Sequence, residues 1–165
     1  MNYEKLTKEH FMGILRASSN PVLLVIDMQE SSVNINREKN SLVAYQIEMI
    51  KRFKERNFKI IFTEFGRPLG STVDDLSSLV SDYEEVKFLE KDEMPARVVL
   101  PYLKNVDGVF ISGLYASECC LATANILMNA GKKVFTSTFA IADKNDKKSL
   151  NKSLKEYVRL GVVVL

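Results

Sequence analysis

Short apolar runs alternate with amphipathic stretches along most of the chain. A run such as PVLLVID is apolar on both faces, which is typical of a strand in a parallel sheet covered on both sides. Apolar residues at helical spacing separate these runs. The predicted strands are residues 21–27, 59–65, 86–91, 106–114, 133–143 and the terminal VVVL. The predicted helices are residues 3–18, 41–56, 94–105, about 117–131 and a lysine-rich stretch that ends at Leu160.

This alternation predicts an α/β protein, namely a three-layer αβα Rossmann-like fold with about six strands in a mostly parallel sheet. Residues 1–165 are expected to form a single domain, because a chain of this length fits one hydrophobic core. Ligands of such sheets bind at the carboxyl ends of the strands. The residues that fall there are Asp27, Lys91 and the turn from Gly113 to Cys119.

The charge pattern favours a small-molecule substrate over a nucleic acid or a membrane as partner. The formal net charge is only +2, and no apolar run approaches the roughly 18 residues of a membrane span. Residues 1–15 lack the apolar core of a secretory signal, so a cytoplasmic protein is expected. Four lysines late in the chain predict a solvated helix face, with a phosphate-binding patch as the alternative. They are Lys144, Lys147, Lys148 and Lys152.

The two cysteines, Cys119 and Cys120, are adjacent and cannot form a disulfide framework. Cys119 lies near the start of a predicted helix that Ser117 or a neighbour is expected to cap. Unpaired amides at the start of a helix favour a thiolate, and so would the nearby cation Lys91. Ready alkylation of Cys119 near neutral pH is therefore expected. The alternative is a small buried hydrophobic residue. Cys120 fits that alternative better, because it shares a helical stripe with Ala124, Leu127 and Met128.

Asp27 and Lys91 are individually ambiguous. An aspartate after a strand is often a turn residue, and a lysine at a strand end is usually solvated. Together with Cys119 they predict more, because a thiol nucleophile needs a base and oxyanion donors. Asp27 can be the base, Lys91 can hold its carboxylate, and backbone amides of residues 114–119 can be the donors. The lone histidine, His10, lies in the first helix, which disfavours a cysteine–histidine pair.

Three segments together resemble the isochorismatase-like cysteine hydrolase superfamily, which includes nicotinamidases, N-carbamoylsarcosine amidase and ureidoacrylate-type hydrolases. The segments are PVLLVIDMQE, Lys91 before KDEMPARVVLPYL, and ISGLYASECCLATANILMNAGKKVFTSTFAIAD. The resemblance runs from about Pro21 to the C-terminus. Its most specific part is the spacing of Gly113, Cys119 and Thr123.

The resemblance implies a catalytic triad of Asp27, Lys91 and Cys119. It implies a cis peptide bond between Leu114 and Tyr115, and an oxyanion hole formed by the amides of Tyr115 and Cys119. The implied reaction is hydrolysis of a C–N bond in a small amide or ureido compound, through an acyl-enzyme on Cys119. A homo-oligomer is also implied, with apolar residues of the N-terminal helix or of residues 94–103 in the contact.

The sequence departs from the superfamily pattern at three places. After IDMQ it reads Glu30-Ser31-Ser32 instead of an acidic residue and phenylalanine. After Lys91 it lacks a frequent serine–phenylalanine pair. After the second strand it reads TEFGRPLG, without the histidines that hold a metal in nicotinamidases, so neither a metal nor another cofactor is expected.

The departures leave alternatives open. One is a member that has lost catalysis and binds a ligand or partner, and another is an isochorismate-type vinyl-ether hydrolase. Retention of the cysteine favours C–N bond cleavage. Tyr115, Phe65 and residues near Met94 are expected to line the pocket.

Overall fold

The computed structural model describes residues 1–144 and 147–165, apart from the side chains of Arg67 and Lys147. Its strands form one sheet in which every strand pair is parallel. The strands are β1 (Pro21–Ile26), β2 (Ile60–Phe65), β3 (Val86–Lys91), β4 (Gly108–Leu114), β5 (Lys133–Thr136), β6 (Ile141–Ala142) and β7 (Val163–Val164). Their order is β3-β2-β1-β4-β5-β7, and β6 extends the pairing of β4. The predicted α/β class is confirmed.

Helices cover both faces of the sheet. They are α1 (Tyr3–Ala17), α2 (Glu30–Asn34), α3 (Lys39–Glu55), α4 (Asp74–Ser77), α5 (Leu121–Asn129) and α6 (Lys147–Leu160). On one face α1 and α3 bury Phe11, Tyr45 and Phe53 against the sheet. On the other face α5 and α6 bury Leu127 and Tyr157. Burial on both faces explains why the central strands are apolar throughout.

The sheet has seven strands because the predicted strand 133–143 divides in two. A turn at residues 137–140 separates β5 from β6, and the amide of Ala140 donates to the carbonyl of Ser137 over 3.0 Å. The amide of Phe139 donates to the Ser137 hydroxyl over 3.1 Å. β5 pairs with the first half of β4, and β6 pairs with the last two residues of β4.

Other predicted boundaries also change. The helix expected at residues 94–105 is a 3₁₀ helix, Arg97–Leu103, with Pro101 inside it. Proline removes a backbone donor, which prevents a regular α-helix there. The segment between β2 and β3, for which no helix was predicted, contains α4 and two 3₁₀ turns, and α2 was not predicted either. Within the described residues, no helix combines the length and the apolar character needed to cross a membrane.

Candidate active site

Three side chains that the sequence singled out meet at the carboxyl edge of the sheet. Asp27 follows β1, Lys91 ends β3, and Cys119 lies in the turn after β4. The Lys91 ammonium nitrogen is 2.8 Å from an Asp27 carboxylate oxygen and 3.5 Å from the Cys119 sulfur. Asp27 and Cys119 also line the same cavity. The three groups therefore form one connected cluster.

The close approach of β1 and β4 holds Asp27 beside the Cys119 turn. Gly113 pairs with Ile26 and has a φ of +129°, and a Cβ atom there would overlap the Ile26 carbonyl oxygen. Asp27 leaves β1 with a φ of +52°, a conformation that aspartate adopts more often than most residues. Its amide donates to the Thr63 carbonyl over 2.9 Å, and the Thr63 hydroxyl donates to its carboxylate over 3.3 Å.

Lys91 is a buried cation with a full set of partners. The residue is 4% exposed, and besides Asp27 its ammonium group donates to the carbonyls of Glu93 and Met94, each over 3.2 Å. The same nitrogen lies 4.5 Å from the centre of the Phe65 ring. A buried charge is tolerated when it is paired and hydrogen-bonded in this way. Lys91 is therefore not the solvated strand-end lysine that its position alone allowed.

The two cysteines occupy different environments. Residues Ala116–Cys120 form a π-helical turn that leads into α5. Cys120 is fully buried in the core, as the helical stripe predicted, whereas Cys119 is partly exposed and faces a cavity. The peptide bond between Leu114 and Tyr115 is cis, as the resemblance implied.

The pKa of the Cys119 thiol differs from what its position at the start of a helix predicted. Burial, reinforced by the negative charge of Asp27, raises the pKa of the Cys119 thiol to about 11, although Lys91 opposes the shift. This shift opposes the ready alkylation of Cys119 near neutral pH that its position at a helix start predicted. Burial also raises the pKa of Asp27, against the effect of Lys91. Both shifts favour the protonated form of the group, the neutral thiol for Cys119 and the carboxylic acid for Asp27.

Ser117 does not cap the helix, because its hydroxyl donates to Asp143 over 2.8 Å. Asp143 is 6% exposed and also accepts the Ser149 and Ser153 hydroxyls and the Lys144 amide. Burial opposes ionisation of Asp143, but these hydrogen bonds outweigh it and lower its pKa. Sequence reasoning missed Asp143. The signal was present, because it ends the apolar run FAIAD much as Asp27 ends LLVID.

Asp143→Asn should loosen the cysteine turn, because the amide group cannot accept all of these hydrogen bonds. We expect kcat to fall about tenfold or more, with a smaller change in KM, since misplacement of a reacting group is costly. The control is Asp107→Asn, at the opposite edge of the sheet, where the carboxylate accepts from Ser18, Ser19 and Asn20. Asp107→Asn should lower the melting temperature and leave kcat unchanged. The same pattern in Asp143→Asn would contradict a positioning role.

A cavity of about 220 Å³ opens beside Cys119. Pockets for drug-sized ligands are about 300–1,000 Å³, so this one suits a smaller molecule. The predicted lining by Phe65, Tyr115 and Met94 is confirmed. The other lining residues are Asp27, Ser32, Leu69, Leu114 and Glu118.

Two buried side chains connect the cavity walls to the segments that carry Asp27 and Cys119. The Thr123 hydroxyl donates to the Cys119 carbonyl over 2.7 Å and accepts the Ala96 amide over 2.9 Å. Gln29 accepts the Phe65 amide over 2.7 Å and donates to the Gly70 carbonyl over 2.6 Å. Both side chains are fully buried. Thr123 thus joins the segment after β3 to the cysteine turn, and Gln29 joins the segment after β2 to the end of β1.

Other candidate groups lie outside the cluster. The His10 ring nitrogen Nδ1 is 2.8 Å from the Tyr45 hydroxyl, within the layer of α1 and α3. Lys144 forms an ion pair with Glu118 at 2.6 Å, and its ammonium group lies 5.0 Å from the centre of the Tyr115 ring. Lys148 and Lys152 are exposed, and the side chain of Lys147 lies outside the described part of the chain.

The residues after β2 do not fit a transition metal. Glu64, the one carboxylate of TEFGRPLG, accepts the Thr72 amide over 2.7 Å and the Thr72 hydroxyl over 2.8 Å. In the chain as described, no group of three histidine, cysteine, aspartate or glutamate side chains could hold a metal ion.

Fold and site together define a class of protein: an α/β enzyme in which a thiol, a carboxylate and an ammonium group meet at the carboxyl edge of a parallel sheet. A sequence model of the isochorismatase domain matches residues 21–165. The chain belongs to the isochorismatase family of hydrolases. No curated protein matches the sequence.

Several solved structures share the fold. The MAR1 ribonuclease from Caenorhabditis elegans is 22% identical with a TM-score of 0.81, over 87% of this chain and 75% of that one. A pyrazinamidase/nicotinamidase from Streptococcus mutans is 16% identical with a TM-score of 0.78, over 88% and 100%. The YCAC gene product from Escherichia coli, described as an octameric hydrolase of unknown specificity, is 17% identical with a TM-score of 0.76, over 88% and 74%.

Proposed function

We propose that this hydrolase cleaves a C–N bond of a small amide or ureido compound through an acyl-enzyme on Cys119. One observation carries the proposal: the Lys91 ammonium nitrogen lies 2.8 Å from the Asp27 carboxylate and 3.5 Å from the Cys119 sulfur, and Asp27 and Cys119 line the same small, largely apolar cavity. Asp27 is the proposed base, and Lys91 at 2.8 Å keeps it ionised and oriented. The proposed oxyanion donors are the backbone amides of Tyr115 and Cys119.

In the proposed mechanism the substrate carbonyl carbon enters the cavity beside the sulfur. Asp27 takes the thiol proton as the sulfur–carbon bond forms, and the carbonyl oxygen becomes an oxyanion. When the C–N bond breaks, Asp27 returns the proton to the leaving nitrogen. A water molecule then attacks the thioester, again losing its proton to Asp27, and the acid product leaves as Cys119 regains its proton.

The raised proton affinities suit this sequence of steps. A thiol that stays neutral at rest is protected from oxidation, because the thiolate is the reactive form. A carboxylate whose pKa is raised accepts the thiol proton more readily than an ordinary aspartate would. Lys91 offsets the negative charge while the proton moves.

The proposal is tested by assaying ammonia release from a panel of small primary amides and ureas. We expect turnover of at least one compound with a compact apolar acyl group, and no turnover by Cys119→Ala. Absence of turnover across the panel would favour a binding member of the family. Hydrolysis of isochorismate that survives Cys119→Ala would favour vinyl-ether cleavage.

Lys91→Met should move the acid limb of the pH–activity profile to higher pH. Asp27 must be ionised to act as a base, and loss of the neighbouring cation raises its already raised pKa further. We expect a shift of at least about one pH unit in kcat/KM, because a cation this close typically lowers a carboxyl pKa by 1–3 units. Activity should recover as the pH rises. Circular dichroism should establish that the variant is folded, since an unpaired buried charge is destabilising.

Lys87→Met is the matched control for Lys91→Met. Lys87 lies on the same strand, β3, and its side chain is exposed. Its loss should leave the profile in place. An unshifted acid limb in Lys91→Met would contradict the role of Asp27 as the base.

We also propose that copies of the chain associate through the segment 94–103. Met94, Val98 and Tyr102 are exposed there at 48%, 36% and 38%, and association would bury them. Sedimentation at micromolar concentration should give a mass above 18.7 kDa, and a monomer would contradict the proposal.

The single domain over residues 1–165 and the cytoplasmic location stay predictions.

A further inference from the structure

Glu118 places a carboxylate in the wall of the cavity beside Cys119. It belongs to the π-helical turn that carries Cys119, and it lines the cavity together with Tyr115. Its carboxylate forms an ion pair with Lys144 at 2.6 Å, and the Lys144 ammonium group lies 5.0 Å from the centre of the Tyr115 ring. A carboxylate and an aromatic ring of the cavity wall thus already hold a cation that the chain itself supplies.

Two of the described residues that line the cavity carry a carboxylate, and their counter-ions differ in exposure. Asp27 pairs with Lys91, whose side chain is 1% exposed, so this cation is fixed within the protein. The side chain of Lys144 is 59% exposed, and that of Glu118 is 36% exposed. An exposed ion pair contributes little, because water screens it and holding two long side chains together costs entropy. Lys144 can therefore exchange Glu118 for solvent at small cost, whereas Lys91 cannot leave Asp27.

A substrate that fills the cavity removes water from the side of Glu118 that faces it. Much of the remaining wall is apolar, with Phe65, Leu69 and Met94 among its residues. A wholly apolar acyl group would cover the carboxylate without replacing the lost water, and an anionic group would add repulsion. A positively charged group is attracted to the carboxylate and to the face of the Tyr115 ring, which offsets the lost hydration.

We propose that Glu118 is a specificity determinant that selects amides with a positively charged group, an ammonium or guanidinium, at the end of the acyl part. This inference rests on the proposed function and specifies its substrate class. In the bound state the substrate cation contacts the Glu118 carboxylate and the Tyr115 ring, and Lys144 turns towards solvent. A short apolar stem joins the charge to the reacting carbonyl. The cavity volume of about 220 Å³ limits that stem to a few carbon atoms.

The test compares 3-aminopropanamide, 4-aminobutanamide and 5-aminopentanamide with their neutral isosteres butanamide, pentanamide and hexanamide, and with the anion succinamate. Binding is measured by NMR titration of Cys119→Ala, which cannot turn the compounds over. The titration is repeated on Cys119→Ala with Glu118→Gln or with Lys144→Met added. The matched control adds Glu48→Gln instead, because Glu48 forms an ion pair with Lys51 at the same 2.6 Å and does not line the cavity.

We expect at least one amino amide to bind Cys119→Ala about five- to tenfold more tightly than its neutral isostere, the combined effect of a partly exposed ion pair and a cation–π contact. The preference should vanish with Glu118→Gln, increase with Lys144→Met and persist with Glu48→Gln. A preference that survives Glu118→Gln or falls with Lys144→Met would overturn the inference. So would equal binding of charged and neutral amides, tighter binding of succinamate, or binding of none. Turnover of the same amides by the unmodified enzyme tests the proposed hydrolysis separately, because the binding result does not depend on it.

Discussion

Replacing Cys119 with alanine is expected to reduce kcat for C–N bond hydrolysis by more than about 1,000-fold, because removal of a nucleophile leaves only binding and oxyanion stabilisation. The measurement is ammonia release from whichever amide the unmodified enzyme turns over. Circular dichroism should be unchanged, since Cys119 is only partly buried and faces the cavity. A variant that kept its activity would exclude the acyl-enzyme mechanism.

Cys120→Ala is the matched control, one residue away in the same turn. Cys120 is fully buried in the core, so its loss should lower stability through packing and leave turnover within a fewfold of the unmodified enzyme. Iodoacetamide should label Cys119 in preference to Cys120, at a rate that rises with pH because the thiol pKa is about 11. Peptide mass spectrometry identifies the labelled cysteine. Preferential label on Cys120 would mean that the nucleophile is assigned to the wrong residue.

Replacing Gly113 with alanine is expected to destabilise the fold by more than about 4 kcal/mol, a range that few single substitutions reach. The new Cβ atom would overlap the Ile26 carbonyl oxygen and lie 2.8 Å from the Ile26 carbonyl carbon and amide nitrogen. These are backbone atoms between paired strands, so they cannot move aside without breaking the sheet. The positive φ of +129° adds strain for any residue other than glycine. Chemical denaturation measures the loss.

Gly131→Ala separates the effect of the positive φ from the effect of steric overlap with a neighbouring strand. Gly131 also has a positive φ, +74°, but a Cβ atom there meets nothing within 4 Å. Only the backbone conformation opposes the substitution, and the expected loss is about 1–2 kcal/mol. If both variants lost equal stability, the close approach of β1 and β4 would not be the reason for the glycine at position 113.

Much of the fold was predictable because burial on both faces leaves a clear trace in the sequence. Residues 86–91 were assigned without error, and β1, β2 and β4 within two residues. The division of residues 133–143 was not predictable, because it depends on Ser137 turning the chain between two apolar segments. The 3₁₀ helix at Arg97–Leu103 was missed because apolar spacing does not distinguish it from an α-helix.

The candidate site was predictable where chain position decides geometry. Asp27, Lys91 and Cys119 end or follow strands of one parallel sheet, so their convergence followed from topology. The raised pKa of the Cys119 thiol was not predictable, because it results from burial and from the negative charge of Asp27, which directly follows β1. Ser32 was also missed as a cavity residue, since ESSVN has too little apolar pattern to show that α2 turns Ser32 inward.

The hydrogen bonds of Thr123 and Gln29 should make turnover sensitive to the size of the substrate. Thr123 joins the segment that carries Met94 to the proposed nucleophile, and Gln29 joins the segment that carries Phe65 to the strand end that carries the proposed base. An oversized acyl group that displaces either wall therefore also displaces a reacting group. Since small misalignments cost far more in rate than in binding, poor substrates should bind and then stall. Redesign of this enzyme for larger substrates would have to reset the alignment of the reacting groups as well as widen the cavity.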